Sequence, residues 1–168
     1  MPVQPQDSPL GAFLKALREE KIDCILIGAM AAIEQGAPLM TVDYGFWVRL
    51  PERRYVRLLS IIQRLGGTVR AQTLYELIDG TQVNAVFKPT GLGSFAAEWK
   101  HCRRGQLDSV PVRVLPLNRV IASKRAANRE KDRAVLPVLE RTLRLMKQMQ
   151  TRDRSRAKAK RKRKNGTK

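Results

Sequence analysis

Asp43 and Gly45 stand two residues apart in "TVDYGFWV", residues 41–48. The stretch is apolar and aromatic enough to form a strand, and a strand presents every second residue to the same face. Two carboxylates at that spacing would share a face and could grip hard divalent cations. Only the first of the two positions is acidic. A lone strand acid also suits a second role, that of a fixed hydrogen-bond acceptor. Gly28 closes the apolar run "IDCILIG" and precedes "AMAAIEQG". It therefore lies at a strand-to-helix turn, where backbone N–H groups can face a phosphate. Lys124, Arg125, Arg129 and Lys131 gather around a helix junction. They suit a triphosphate or a nucleic-acid backbone, and equally a solvated helix face. His101-Cys102 supplies at most two metal ligands with no others nearby, too few for a zinc site.

The elements that must position these residues can be read from spacing. Ser8-Pro9 offers an N-cap and a first-turn proline, and Leu10, Phe13, Leu14 and Leu17 follow at helical intervals. "IDCILIG" predicts a buried strand and "AMAAIEQG" a short helix. Pro51 opens a helix with Tyr55, Leu58, Leu59, Ile62 and Leu65 on one face, ended by Gly66-Gly67. "TLYELIDGTQVNAVF" predicts two strands joined at Asp79-Gly80, a dipeptide favoured in tight hairpins. "GSFAAEWKHCRRG" predicts a helix and "VPVRVLP" a strand. Two further helices complete the order, with Asp132 as a cap of the second and Pro137 set to kink it or mark its start. The class is α+β (mixed α/β): a small mixed sheet flanked by helices, plus C-terminal helices. Trp47 is placed in the core by its apolar strand; Trp99 is available to stack on a base.

Charge narrows the partners. The 168 residues hold 33 Lys and Arg against 15 Asp and Glu, for a net +18, which points to an anionic partner. Half of that excess lies in "RDRSRAKAKRKRKNGTK", residues 152–168. The basic residues there include Arg152, Arg154, Arg156, Lys158, Lys160, Arg161, Lys162, Arg163 and Lys164. The segment has no aliphatic residue larger than alanine, so composition predicts disorder and binding to RNA or DNA at low salt. The expected division is a domain over 1–149 and a disordered basic tail over 150–168. "MPVQPQDSPL" lacks the basic and apolar regions of a signal peptide, and no apolar run approaches the roughly 20 residues that span a bilayer. The expectation is a cytoplasmic protein with no membrane partner.

"ILIGAMAAIEQGAPLMTVDYGFWV" resembles the signature of the nucleotidyltransferase superfamily, with its DNA polymerase beta-like fold. The similar parts are the strand "ILIG", the small-residue helix, and T-x-D-x-x-x-W-V from Thr41 onward. "LPLNRVIASKRAANREKDRAVLPVLE" is similar to the segment that ends such domains, with Lys124, Arg129 and Lys131-Asp132 in matching places. The resemblance covers roughly residues 10–145 and is nearest to a small bacterial branch that includes minimal nucleotidyltransferases and AbiE-type toxin–antitoxin proteins. It implies transfer of a nucleoside monophosphate from a nucleoside triphosphate to a hydroxyl, assisted by two Mg²⁺ ions. It also implies triphosphate contacts at Gly28, Ala29, Thr41, Lys124, Arg129 and Lys131, and admits a toxin or antitoxin protein as partner.

The family's metal ligands are D-x-D on one strand and a third acid on a neighbour. Asp43 matches the first, Gly45 the second, and Asn84 the third. A cluster worth three negative charges is reduced to one, and Asn84 is neutral and cannot act as a base. The glycine pair of the family is Gly28-Ala29 here. Three readings follow. The first is a nucleotidyltransferase-like domain with impaired or lost catalysis that retains nucleotide or nucleic-acid binding. The second is an active Mg²⁺-dependent transferase onto an RNA or protein hydroxyl, with Glu76 as a substitute acid beside Asp43. The third is an RNA- or DNA-binding module anchored by its tail.

Overall fold

The computed structural model describes residues 7–165. Among the described residues, seven strands form one mixed sheet in the order β3-β4-β5-β2-β1-β7-β6. They are β1 (Cys24–Ile27), β2 (Asp43–Val48), β3 (Thr68–Val69), β4 (Leu74–Glu76), β5 (Gln82–Val86), β6 (Arg103–Leu107) and β7 (Val110–Val114). The helices are α1 (Pro9–Glu19), α2 (Gly28–Glu34), α3 (Val56–Arg64), α4 (Phe95–Trp99), α5 (Leu117–Ala127) and α6 (Glu130–Asn165). No described helix is long and apolar enough to cross a membrane.

The sheet centre is built from β1 and β2, paired antiparallel with Ile27 opposite Gly45. Each then takes a parallel neighbour: β7 beside β1, and β5 beside β2. The two-residue period divides β2 between two environments. Phe46 faces α1, where its ring meets Phe13 at 6.1 Å, and α3 packs against α1. Asp43, Gly45 and Trp47 face the other way. Trp47 is buried there, edge-on to Phe95 of α4 at 5.1 Å, and its indole N–H donates to the Phe87 carbonyl. It is a core residue, as its strand context predicts.

Several local signals act as expected. The Ser8 hydroxyl accepts from the Gly11 N–H and starts α1. Leu58, Ile61 and Ile62 are the buried stripe of α3. Asp79-Gly80 turns β4 into β5, with Gly80 at φ +87° and the Asp79 carboxylate accepting from the Thr81 N–H.

Three expectations are corrected. The helix predicted over "GSFAAEWKHCRRG" stops at Trp99, and Arg103–Leu107 form the edge strand β6 instead. The chain returns through Asp108 and Ser109, both at positive φ, as a two-residue hairpin turn requires. Arg103 and Arg104 are exposed on that edge, where charge guards against pairing with another sheet. Of the two alternatives for Pro137, to kink the last helix or to mark its start, the second is set aside: α6 begins at Glu130 and carries the proline inside it. The third correction concerns the tail. Composition predicts disorder over 150–168; among the described residues α6 is helix through Asn165, and residues 166–168 lie outside them. Its first half is anchored, with Leu139 fully buried, so the costly nucleation is already met. Ala, Lys and Arg are then good residues for propagation, and no Gly or Pro interrupts them before Gly166. From Lys147 to Asn165 every residue is exposed, so the packed body ends near Met146.

Candidate functional site

The strand-to-helix turn at Gly28 opens one end of a cavity of about 630 Å³. Gly28 has φ +69°, and the position a Cβ would take is empty to 4 Å, so backbone there borders open space. Ala29 follows in the first turn of α2, and both residues line the cavity. The far end of α2 is tied to α5. The Gln35 side chain donates to the Ala31 and Leu115 carbonyls and accepts from the Leu117 N–H. These three bonds fix the Gly28 turn relative to the basic end of α5.

Asp43 opens β2 at the cavity floor, and the Thr41 hydroxyl donates to its Oδ1 at 2.8 Å. Gly45 is next on the same face. A Cβ there would meet Ile27 Cγ1 at 3.4 Å, an ordinary contact, so space does not dictate glycine. Asn84 lies directly across from Gly45 on β5 and also lines the cavity. The register thus brings Asp43, Gly45 and Asn84 together as the resemblance implies.

Glu76 is elsewhere. Its strand partner is Gln82, whose other partner is Asp43, so Glu76 shares the Asp43 face but lies two strands away, roughly 10 Å. Its carboxylate accepts from Arg70 Nε at 3.0 Å and from the second guanidinium nitrogen at 2.9 Å, and it does not line the cavity. Among the described residues, no three His, Cys, Asp or Glu gather where a metal could be held. The thiols do not change this. Burial pushes Cys24 up to about 12, with Asp23 adding to the effect, and Cys102 up to about 11.

The cavity lining is cationic at the α5–α6 junction. Lys124, Arg129 and Lys131, all anticipated, line the cavity there, where Asn128 turns the chain at φ +50°. Asp132, offered by the sequence as a helix cap and as part of the Lys131-Asp132 pair of the resemblance, organises them. It does cap α6, taking the Arg129 N–H at 3.3 Å. It is also fully buried, with Arg129 Nε at 2.7 Å and Lys124 Nζ at 3.2 Å. Burial opposes its charge, but the bonds from Arg129 and Lys124 outweigh it and hold the carboxyl below its usual range. The same bond holds the Arg129 guanidinium above its own.

Lys88 is a lining residue that sequence reasoning missed. The signal was present: Asn84, Val86 and Lys88 follow the two-residue period, and all three line the cavity. The loop after Lys88 is clamped to α5. Ser123 donates its hydroxyl to the Thr90 carbonyl at 2.7 Å. Gly91 sits at φ +74°, where a Cβ would fall 2.4 Å from Ala126 Cβ. The predicted tail residues, Arg152 through Lys164, are exposed on α6 and none lines the cavity. Trp99 is stacked on Phe95 and lies under the Arg113 guanidinium at 4.9 Å.

No family model matches the sequence, and no curated protein matches it. Solved structures do. The antibiotic-resistance factor ANT(2'')-Ia in solution superposes with a TM-score of 0.56 at 19% identity, over 92% of this chain and 94% of that one. The crystal structure of ANT(2'')-Ia in complex with adenylyl-2''-tobramycin gives 0.53 at 18%, over 92% and 99%. The lincosamide antibiotic adenylyltransferase LnuA, lincomycin-bound, gives 0.52 at 10%, over 82% and 97%. The chain has the nucleotidyltransferase fold.

That fold implies magnesium, and the donors here can be tested against it. A pair of divalent ions needs several anionic oxygens. The cavity offers one carboxylate, Asp43, already accepting from Thr41, and one neutral amide, Asn84. Two ions do not fit this set.

Proposed function

We propose that this is a nucleotidyltransferase-like domain whose transfer chemistry is lost or severely impaired, and whose cavity retains binding of a nucleotide or a nucleic-acid end. The observation that carries this reading is the register of Gly45 against Asn84 beside Asp43. The strand framework of a transferase is intact, and two of the three acids that would charge it are absent. The ion-paired position of Glu76, two strands from Asp43, weighs against the alternative of an active Mg²⁺-dependent enzyme acting on an RNA or protein hydroxyl. The test is labelling of RNA and protein acceptors from radioactive triphosphates with Mg²⁺. No transfer above background is expected. Robust labelling that disappears in Asp43→Ala would overturn the proposal.

A second, compatible reading is favoured by α6. Residues 152–165 carry nine basic side chains and one acid on an exposed helix with no apolar face. An all-round polar helix has no surface with which to enter a membrane, whereas phosphates can meet it from any side. The partner this reading takes is RNA or DNA. Binding to a duplex oligonucleotide should fall steeply with salt, and deletion of residues 152–168 should flatten the slope. An unchanged slope would remove the tail as anchor.

A further inference from the structure

Four cations border the cavity: Lys88, Lys124, Arg129 and Lys131. Two carboxylates answer them, Asp43 on the floor and Asp132 behind the wall. The excess is positive, although a metal-assisted site needs an excess of negative charge to collect its ions. Lys88 and Lys131 have no carboxylate partner among the described residues. Lys124 and Arg129 are not loose surface chains, because Asp132 holds both by direct bonds. The wall is thus a fixed pair of cations flanked by two unpaired ones. Opposite them stands an acid whose natural counter-ion would be a dication, and whose two supporting acids are absent.

We infer that the cavity takes the polyphosphate of a nucleotide as the bare anion, with Lys88, Lys124, Arg129 and Lys131 neutralising charge that divalent ions would otherwise carry. This deepens the proposed nucleotide-binding reading and rests on it. It inverts the part played by Asp43. Beside a metal, that carboxylate attracts the triphosphate through the ion. Beside a bare anion it repels it, and its remaining task is to hold Thr41 through the 2.8 Å bond. Asparagine keeps an acceptor for Thr41 and discards the charge, so Asp43→Asn separates the two cases by the sign of its effect.

The experiment is calorimetric titration of the 168-residue chain with ATP, once in EDTA and once in excess Mg²⁺. Binding in EDTA is expected to be at least as tight as in Mg²⁺. Asp43→Asn should tighten binding in EDTA by about three- to fivefold, the size of one unit repulsion across several ångströms of partly hydrated space. Lys88→Gln and Lys131→Gln should each weaken it by a similar factor. Binding that needs Mg²⁺, or an Asp43→Asn variant that binds more weakly in EDTA, overturns the inference and leaves nucleotide binding itself standing. No binding under either condition overturns both.

Discussion

Replacing Gly45 and Asn84 together by aspartate supplies the two acids that the proposed reading counts as missing beside Asp43. The backbone has room: a Cβ at position 45 makes only an ordinary contact with Ile27, and Asn84→Asp is isosteric. The new carboxylates would lie on paired positions of β2 and β5, about 4.8 Å apart at the backbone, with Asp43 about 6.7 Å along β2 on the same face. At about 4 Å, a pair of unit charges is worth ~1 kcal/mol in water and ~4 kcal/mol at an effective dielectric near 20, and a dication doubles either figure. Asp43, Gly45 and Asn84 are only partly buried, and the acids repel one another as well as attracting the ion. About 2 kcal/mol per added acid is then left, so the pair should tighten Mn²⁺ binding by roughly a thousandfold. The readout is the free-Mn²⁺ electron paramagnetic resonance signal during titration with protein. In the absence of metal the double variant should melt lower than wild type, because three carboxylates crowd one site, and Mn²⁺ should restore it. A double variant that is folded by circular dichroism yet binds Mn²⁺ no better than wild type would refute the claim that missing charge is what keeps the ions out.

Asp132→Asn should destabilise the domain at pH 7 by about 2 kcal/mol in urea unfolding, chiefly through Lys124, since Arg129 is more than half exposed and its share is screened. Because the folded-state carboxyl lies below its ordinary value, Asp132 contributes fully above pH about 4, and its contribution is lost as the pH falls through the lower folded value. Wild type and variant should therefore converge in acid; a gap of constant size down to pH 2 would contradict the ion-pair account. Gly91→Ala meets both a left-handed backbone and Ala126 at 2.4 Å, and should cost about 3 kcal/mol, seen as a fall in Tm of roughly 6–12 °C. A shift under 2 °C would mean the loop is not clamped to α5.

The centre of the fold was legible because its signals are local. Alternation placed Asp43 and Gly45 on one face of β2, and Asp79-Gly80 named its own hairpin. The edge was harder. Arg103 and Arg104 look like helix surface because an edge strand has little to bury, and Asp108-Ser109 lacks the glycine that advertises a two-residue turn. Most of the anticipated site converged on one cavity, because strand ends and helix starts meet there by topology. Glu76 shows where pattern runs out: the sequence offers it beside Asp43, and only the strand order reveals that β5 stands between them. The pairing of Asp132 with Lys124 was hidden for a similar reason. That bond crosses the α5–α6 junction, and the bend at Asn128 that allows it has no periodic signature. The tail failed differently. Composition weighs what a segment can bury, whereas a helix already nucleated can extend through residues that bury nothing.

The continuation of α6 makes the basic arm a boom instead of a tether. From Lys147 to Asn165 it extends about 28 Å at the helical rise. A coil of equal length would sweep its charges back across the molecule; a rod holds them out at a set bearing. On the reading proposed above, a polyanion held only by the rod lies away from the cavity beside Asp43, since none of residues 147–165 lines it. One strand would then have to span the helix between them to occupy both.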